Sequence, residues 1–121
     1  MALLILQAIA TNGLVAPGTA DPVPVTVSVT RSSGKPVTGL TMAEFTVGNS
    51  WGPHRVAVTG FQGGSIQFGP GSTNADGLYM MQLVPIAGST WTALSTYHIV
   101  FVVDTGIHRG QTVAELTFPR P

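Results

Sequence analysis

Residues 23–31 read VPVTVSVTR, and this stretch decides the fold class. Valine at positions 23, 25, 27 and 29 alternates with proline, serine or threonine. Successive side chains of a strand point to opposite faces, so a period of two predicts a strand with one buried face and one exposed face. Pro24 lies near the start of this strand and on its outward face, where a missing hydrogen-bond donor is tolerated.

Other short segments have a similar character and are separated by clusters of turn-forming residues. Thr41 and Glu44 have the spacing of a capping box, which predicts one short helical turn over 42–45. Many short strands without a long helical pattern predict an all-β fold, a β-sandwich of seven to nine strands. The later predicted strands are 55–61, 65–68, 78–84, 97–103 and 112–118.

The chain opens with MALLILQAIATNG, residues 1–13. No lysine or arginine precedes Arg31, so the basic region of a secretory signal is missing and we expect no cleaved signal peptide. The apolar run is also far shorter than the roughly 20 residues of a membrane helix. Asn12-Gly13 favours a tight hairpin turn, so we expect an extra N-terminal hairpin over 1–15, with a strand that returns at 14–15.

Both faces of this first strand are apolar, unlike those of 23–31. Leu3, Ile5 and Ile9 share one face, and Leu4, Leu6 and Ala8 share the other. A strand of this kind needs cover on both sides, because a bare apolar strand is an aggregation site. Residues 97–104, YHIVFVVD, show a second excess of apolar strand surface. We expect self-association through Leu3, Leu4, Ile5, Leu6 and Ile9; the alternative is an outer face that lies under a loop of the same chain.

Two segments carry a resemblance to known families. The pattern G-K-P-V-x-G-L-T-x-x-E-F-x-V over 34–47 resembles bacterial immunoglobulin-like modules, including those beside von Willebrand type A domains. The pattern A-D-G-L-Y-x-x-x-L-x-P over 75–85 resembles carboxypeptidase-regulatory-like, prealbumin-type sandwiches. Together the resemblance covers about 21–119, and it implies an immunoglobulin-like or prealbumin-like β-sandwich.

The resemblance also implies roles for single residues. Gly34 and Gly77 would supply turn geometry, and Leu40, Phe45, Tyr79 and Leu83 would be core or corner residues. Members of these families are mostly non-enzymatic spacers, adhesive modules or assembly units. The segment 1–15 lies outside the resemblance, which argues against a simple tandem spacer.

The composition excludes several classes of function. Charged residues are only 8% of the chain, and five basic residues balance five acidic ones. No basic stripe is present, so we expect no nucleic-acid partner. The chain has no cysteine, which excludes disulfides and thiolate metal sites. A surface with so few charges is either rich in hydroxyl groups or covered by other subunits.

Few residues have the type and spacing of metal ligands or catalytic groups. His54, His98 and His108 lack the spacings of helical or paired metal ligands, so we predict no metal site, no cofactor and no enzyme activity. Asn74 and Asp76, in the loop GPGSTNADG over 69–77, could offer oxygen ligands to Ca²⁺ or another ligand; the alternative is an ordinary turn.

Two tryptophans complete the candidate binding residues. Trp51 and Trp91 sit in or beside loops, where an exposed indole can stack on a sugar ring or anchor a protein partner. The alternative is that each ring packs inward and closes one end of the sandwich.

These observations lead to one predicted domain over 1–121, made of the hairpin 1–15 and a sandwich body 21–119. We predict a non-catalytic structural or adhesive module that forms homo-oligomers. A carbohydrate-binding module and a phage virion decoration or tail component are the alternatives. A protein or a glycan is the partner expected, without membrane insertion, and the cell surface or a virion is favoured over the cytoplasm. An enzyme would require the histidines and acidic residues to meet in a cleft.

Overall fold

The computed structural model describes residues 2–10, 15–63 and 77–118. Within these ranges the chain forms strands and a single short 3-10 turn, so the predicted all-β class is confirmed. None of the helical structure there is long and apolar enough to cross a membrane. The strands are β1 (Ala2–Ala10), β2 (Val23–Arg31), β3 (Phe45–Trp51), β4 (Val56–Gly63), β5 (Leu78–Pro85), β6 (Ser95–Asp104) and β7 (His108–Phe118).

The seven strands form one sheet in the order β3-β6-β7-β1-β2-β5-β4. Every pairing is antiparallel except that of β1 with β7. The outermost strands β3 and β4 are joined by a short turn, so the sheet is nearly closed into a barrel. The Asn49 side chain holds this turn: its amide donates to the His54 carbonyl at 2.9 Å, and its oxygen accepts from the Val56 N–H at 3.2 Å.

The strand pairing therefore does not show the expected two-layer sandwich. The sheet is continuous because β1 pairs on one side with β2 and on the other side with β7. The sequence pattern reports which face of a strand is buried, and both architectures bury one face of every strand. The number of strands in the described residues agrees with the prediction, and the division of the sheet into two layers is not shown.

The core lies inside this nearly closed sheet. All four valines of β2 are fully buried and the residues between them are half-buried, so the prediction from VPVTVSVTR is confirmed. The Tyr79 hydroxyl donates to the Val37 carbonyl at 2.6 Å and accepts from the Leu40 N–H at 3.2 Å, which gives this buried ring a polar anchor. Gly34 and Gly77 have φ values of +90° and +66°, as the implied turn geometry requires.

β1 is an interior strand of the sheet, not part of an added hairpin. It pairs with β2 over seven residue pairs, from Leu4–Arg31 to Ala10–Val25. Val15 belongs to no strand, and the predicted Asn12-Gly13 turn lies outside the described residues, as does the predicted strand 65–68.

The predicted helical turn is confirmed as a 3-10 turn over Met42–Glu44. The Glu44 carboxylate accepts hydrogen bonds from the Thr41 N–H at 2.5 Å and the Thr41 hydroxyl at 2.9 Å. These bonds favour the ionised carboxylate and lower the pKa of Glu44. Strand β3 follows this turn directly; it was not among the predicted strands because its GNSWG segment favours a turn.

Candidate functional site

The outward face of β1 carries the most exposed aliphatic row on an interior strand. Leu3 and Ile9 are 70% and 69% exposed, and Ile5 between them is 46% exposed. Gln7 is the polar member of the row. Three large aliphatic side chains in one row form a surface that a partner protein can cover.

Leu4 and Leu6, which were also predicted as self-association residues, lie in the core with 3% and 7% exposure. Their place is a correction to that set, because alternate residues of a strand point to opposite faces and only one face of β1 meets solvent. The contact residues that remain available on β1 are Leu3, Ile5 and Ile9.

A second aliphatic surface lies on β7 and β6. Val113 on β7 is 52% exposed and lies opposite Val100 on β6, which is half-buried. We call this surface the outer strip. It consists of the outward residues Arg109, Gln111, Val113 and Glu115 of β7, and His98, Val100, Val102 and Asp104 of β6.

β1 and β7 separate soon after they meet, at a place we call the seam. They pair only at Ala2–His108 and Leu3–Arg109, and a groove of about 550 Å³ then opens between 3–6 and 109–111. Gly110 lies so close to β1 that an added Cβ would overlap the Leu4 carbonyl oxygen. Glycine at this position therefore permits the close approach on which the pairing depends.

Polar groups at the seam are incompletely satisfied. The Arg31 guanidinium lies 3.4 Å from His108 Nε2 and can only donate to it. His108 Nδ1 is buried and has no hydrogen-bond partner among the described residues. A buried donor without a partner costs free energy, so the contact between the start of β1 and β7 is only weakly stabilised.

Charged side chains border the outer strip at both ends. Arg109 is exposed at one end, in the residue pair with Asp104. Glu115 is exposed at the other end, and its carboxylate lies 3.8 Å from the His98 imidazole. Arg109 and Glu115 are separated by about 20 Å, at about 3.3 Å per residue of strand.

The two tryptophans have opposite environments. Trp51 is 70% exposed and lines a groove of about 420 Å³ together with residues 52–53 and 94–96. Leu94 in this groove is 71% exposed and has a φ of +56°, which is rare for a non-glycine residue. Among the candidate ligand-binding residues that the structure describes, Trp51 is the one that reaches solvent.

Trp91 is only 1% exposed, which corrects its prediction as a ligand-binding residue. Its ring stacks on Phe118 with 4.9 Å between centroids, and its indole N–H donates to the Asp21 carbonyl at 2.9 Å. A large ring that is packed and hydrogen-bonded in this way closes one end of the barrel, as the alternative interpretation stated. Asn74 and Asp76 lie outside the described residues.

The three histidines make separate contacts. His54 Nε2 lies 2.7 Å from the Thr90 carbonyl oxygen and 3.0 Å from the Tyr97 hydroxyl, which is a structural position. His98 contacts Glu115, and His108 contacts Arg31. Within 2–10, 15–63 and 77–118, no three His, Asp or Glu residues come together as a metal site would require.

Comparison with known proteins identifies no family for this chain. The chain matches no protein-family model and no curated protein. It is similar to part of the crystal structure of the outer membrane decaheme cytochrome OmcA, with a TM-score of 0.49 and 16% sequence identity. The match covers 93% of this chain but only 22% of the cytochrome chain. A likeness at this level carries no argument about function.

Proposed function

We propose that the protein is a non-catalytic structural or adhesive module that forms homo-oligomers through the exposed aliphatic row of β1. The observation that carries the proposal is the exposed aliphatic row of Leu3, Ile5 and Ile9. Removing such a surface from water is favourable by about 25 cal/mol per Å² of apolar area. A second copy offers the same row, so one patch can serve both subunits of a two-fold dimer.

The test is the native mass of the protein in solution. Ile9→Lys adds a charge within the proposed contact and leaves the core untouched, so we expect a folded protein of monomer mass in sedimentation velocity. Leu94→Lys is the matched control, because Leu94 is equally exposed but lies in the Trp51 groove. A wild-type protein that stays monomeric at high concentration would refute the proposal.

We also propose the two-layer, immunoglobulin-like form of the fold. Lettered A to G in chain order, β3-β6-β7 gives CFG and β1-β2-β5-β4 gives ABED, the strand groups of immunoglobulin domains. The short β1–β7 pairing is the only ladder between these groups in the described residues, which supports two layers. Hydrogen exchange tests this: in two layers, the β1 amides that point away from β2 beyond Leu3 exchange fast, and in a closed barrel they exchange slowly.

A second candidate function is the binding of a neutral glycan by Trp51. The observation that favours it is an exposed indole in a groove that also contains Ser95, Thr96 and no charged residue. A sugar ring can stack its C–H face on the indole while the hydroxyls accept or donate hydrogen bonds. A glycan array with the wild type, Trp51→Ala and the control Ile107→Ala tests it: binding lost only in Trp51→Ala supports the candidate, and no binding by the wild type refutes it.

A further inference from the structure

The aliphatic row of β1 is too narrow to form a stable interface on its own. Leu3, Ile5 and Ile9 lie along one strand, and eight residues of strand occupy roughly 5 Å by 27 Å, or about 130 Å². A specific interface removes about 600 Å² or more of accessible surface from each partner. A contact that begins on this row must therefore extend over a neighbouring strand.

Strands β2 and β5 continue the surface of β1 directly. Seven residue pairs join β1 to β2, and six join β2 to β5. In this ladder Thr26 of β2 lies between Ile9 of β1 and Met80 of β5. The outward side chains of the three strands therefore form one face, which we call the uncharged face. It consists of Leu3, Ile5, Gln7 and Ile9 of β1, Pro24, Thr26, Ser28 and Thr30 of β2, and Leu78, Met80, Gln82 and Val84 of β5.

None of these side chains is charged, and none is aromatic. The charged side chains that the structure describes lie elsewhere, at Asp21, Arg31, Lys35, Glu44, Arg55, Asp104, Arg109 and Glu115. Arg31 is the last residue of β2, and its guanidinium lies beside His108 of β7. Three of the charges belong to the outer strip of β6 and β7. The two outward surfaces that border β1 therefore differ in charge.

This difference decides the direction in which the contact extends. The core of a protein interface is poor in charged residues. Extension over β2 and β5 covers aliphatic, hydroxyl and amide groups. Extension over β7 would cross the groove between 3–6 and 109–111 and would cover Arg109, and removing a guanidinium from water without a partner is costly. The charge distribution therefore favours β2 and β5.

We propose that two copies of the chain pack face to face through the uncharged face, with β2 at the centre of the contact. This inference rests on the proposed self-association and specifies the surface that carries it. Three strands are about 14 Å wide and 27 Å long, which gives roughly 380 Å² of flat area per copy, and the relief of the side chains makes the accessible area larger. Two such faces approach the total of about 1,200 Å² at which specific interfaces begin.

A second copy is the occupant that fits the chemistry of this face. A sugar would need an aromatic ring to stack on, an anionic lipid surface would need cations, and the face has neither. Unlike proteins commonly recognise each other through complementary charges, which the face also lacks. Another copy presents the same aliphatic and hydroxyl groups, so one uncharged surface covers the other in a two-fold dimer.

Charges placed on β2 and β5 test the face without changing the β1 row. Thr26→Lys puts an ammonium group at the centre of the contact, and Gln82→Lys puts one on β5. Neither charge has a partner in the dimer, so we expect the dissociation constant to rise at least about tenfold for Thr26→Lys and about threefold for Gln82→Lys, which lies nearer the margin. Gln82 is exposed, so its substitution leaves the core intact.

The measurement is sedimentation equilibrium, with circular dichroism to show that each variant is folded. Thr46→Lys is the matched control, because Thr46 is an exposed strand residue on β3, outside the face, and gains the same charge. We expect its dimer to match the wild type. An interface without ion pairs is also insensitive to screening, so we expect the wild-type dissociation constant not to rise between about 0.05 M and 0.5 M salt.

The outcomes separate the two proposals. A monomeric wild type overturns self-association and this inference with it. A dimer that neither Thr26→Lys nor Gln82→Lys weakens overturns the uncharged face, while contact through the β1 row stands. A dimer that added salt weakens, or that Thr46→Lys weakens as much as Thr26→Lys does, also overturns it. Weakening by the two face variants alone, without a loss in salt, supports the inference.

Discussion

The end of the barrel that Trp91 closes and the seam between β1 and β7 both hold distant parts of the chain together. They differ greatly in the number and kind of contacts that do so. At the closed end, Trp91 stacks on Phe118 and meets Tyr97 edge-on, with 5.1 Å between ring centroids. The Tyr97 hydroxyl accepts from the Thr92 N–H at 3.0 Å and also contacts His54. The seam has two residue pairs, a glycine contact and an unsatisfied buried nitrogen. The stabilising contacts are therefore concentrated at the closed end, and the seam has few.

The largest expected effect is the loss of the ring that closes the barrel. Trp91→Ala removes a fully buried side chain together with its hydrogen bond, and it should lower the free energy of unfolding by about 3–5 kcal/mol. Urea denaturation measures this change. The control is Trp51→Ala, whose exposed ring should leave stability nearly unchanged. Equal effects of the two substitutions would contradict the described burial.

The next effect tests the seam. In Gly110→Ala the added methyl overlaps the Leu4 carbonyl and would lie 2.7 Å from Leu6 Cδ1, so the strands must move apart. Overpacking of this kind should lower the free energy of unfolding by about 2 kcal/mol. Gly48→Ala is the control, because an added Cβ there has no neighbour within 4 Å. A neutral Gly110→Ala in urea denaturation would mean that the strands do not approach closely.

A smaller effect is expected where a side chain joins two loops at the closed end. His54→Ala removes the contacts to the Thr90 carbonyl and the Tyr97 hydroxyl and should lower the free energy of unfolding by about 1 kcal/mol. Thermal denaturation followed by circular dichroism measures it. Pro53→Ala in the same turn is the comparison; a larger loss in Pro53→Ala than in His54→Ala would show that turn rigidity matters more than these hydrogen bonds.

The smallest expected effect on stability is that of Glu44, whose carboxylate caps the 3-10 turn. Its folded-state pKa lies below the ordinary value of 4.5, so its carboxylate stabilises the fold above that value and this contribution is lost as pH falls through the lowered pKa. Glu44→Gln should therefore be less stable than the wild type at neutral pH, with the difference shrinking in acid. A difference that does not change between pH 7 and pH 3 in thermal denaturation would contradict the capping interaction.

Much of the fold could be predicted because its signals are local. The alternating valines of β2 and the Thr41–Glu44 spacing depend on neighbours along the chain, and both predictions are confirmed. The continuity of the sheet depends on which distant strands meet β1, and that information is not local. The same limit applied to β3, whose turn-like residues form a strand because β6 supplies the partner.

The candidate site shows the same division. The apolar character of both faces of β1 predicted an excess of aliphatic surface, but periodicity could not say whether Leu3 or Leu4 points outward. Only the packing of β1 over the core decides this. Trp91 was indistinguishable from Trp51 by sequence context, since burial of an indole depends on partners such as Phe118 that lie far away in the chain.

The parallel pairing of β1 with β7 has a mechanical consequence. The first residues of β1 and the last residues of β7 lie at opposite ends of the barrel, so tension applied through them slides one strand along the other. Two residue pairs resist this sliding, against seven that hold β1 to β2. A domain loaded in this direction should yield first at the β1–β7 contact and at low force, while the rings packed around Trp91 keep the remaining strands together.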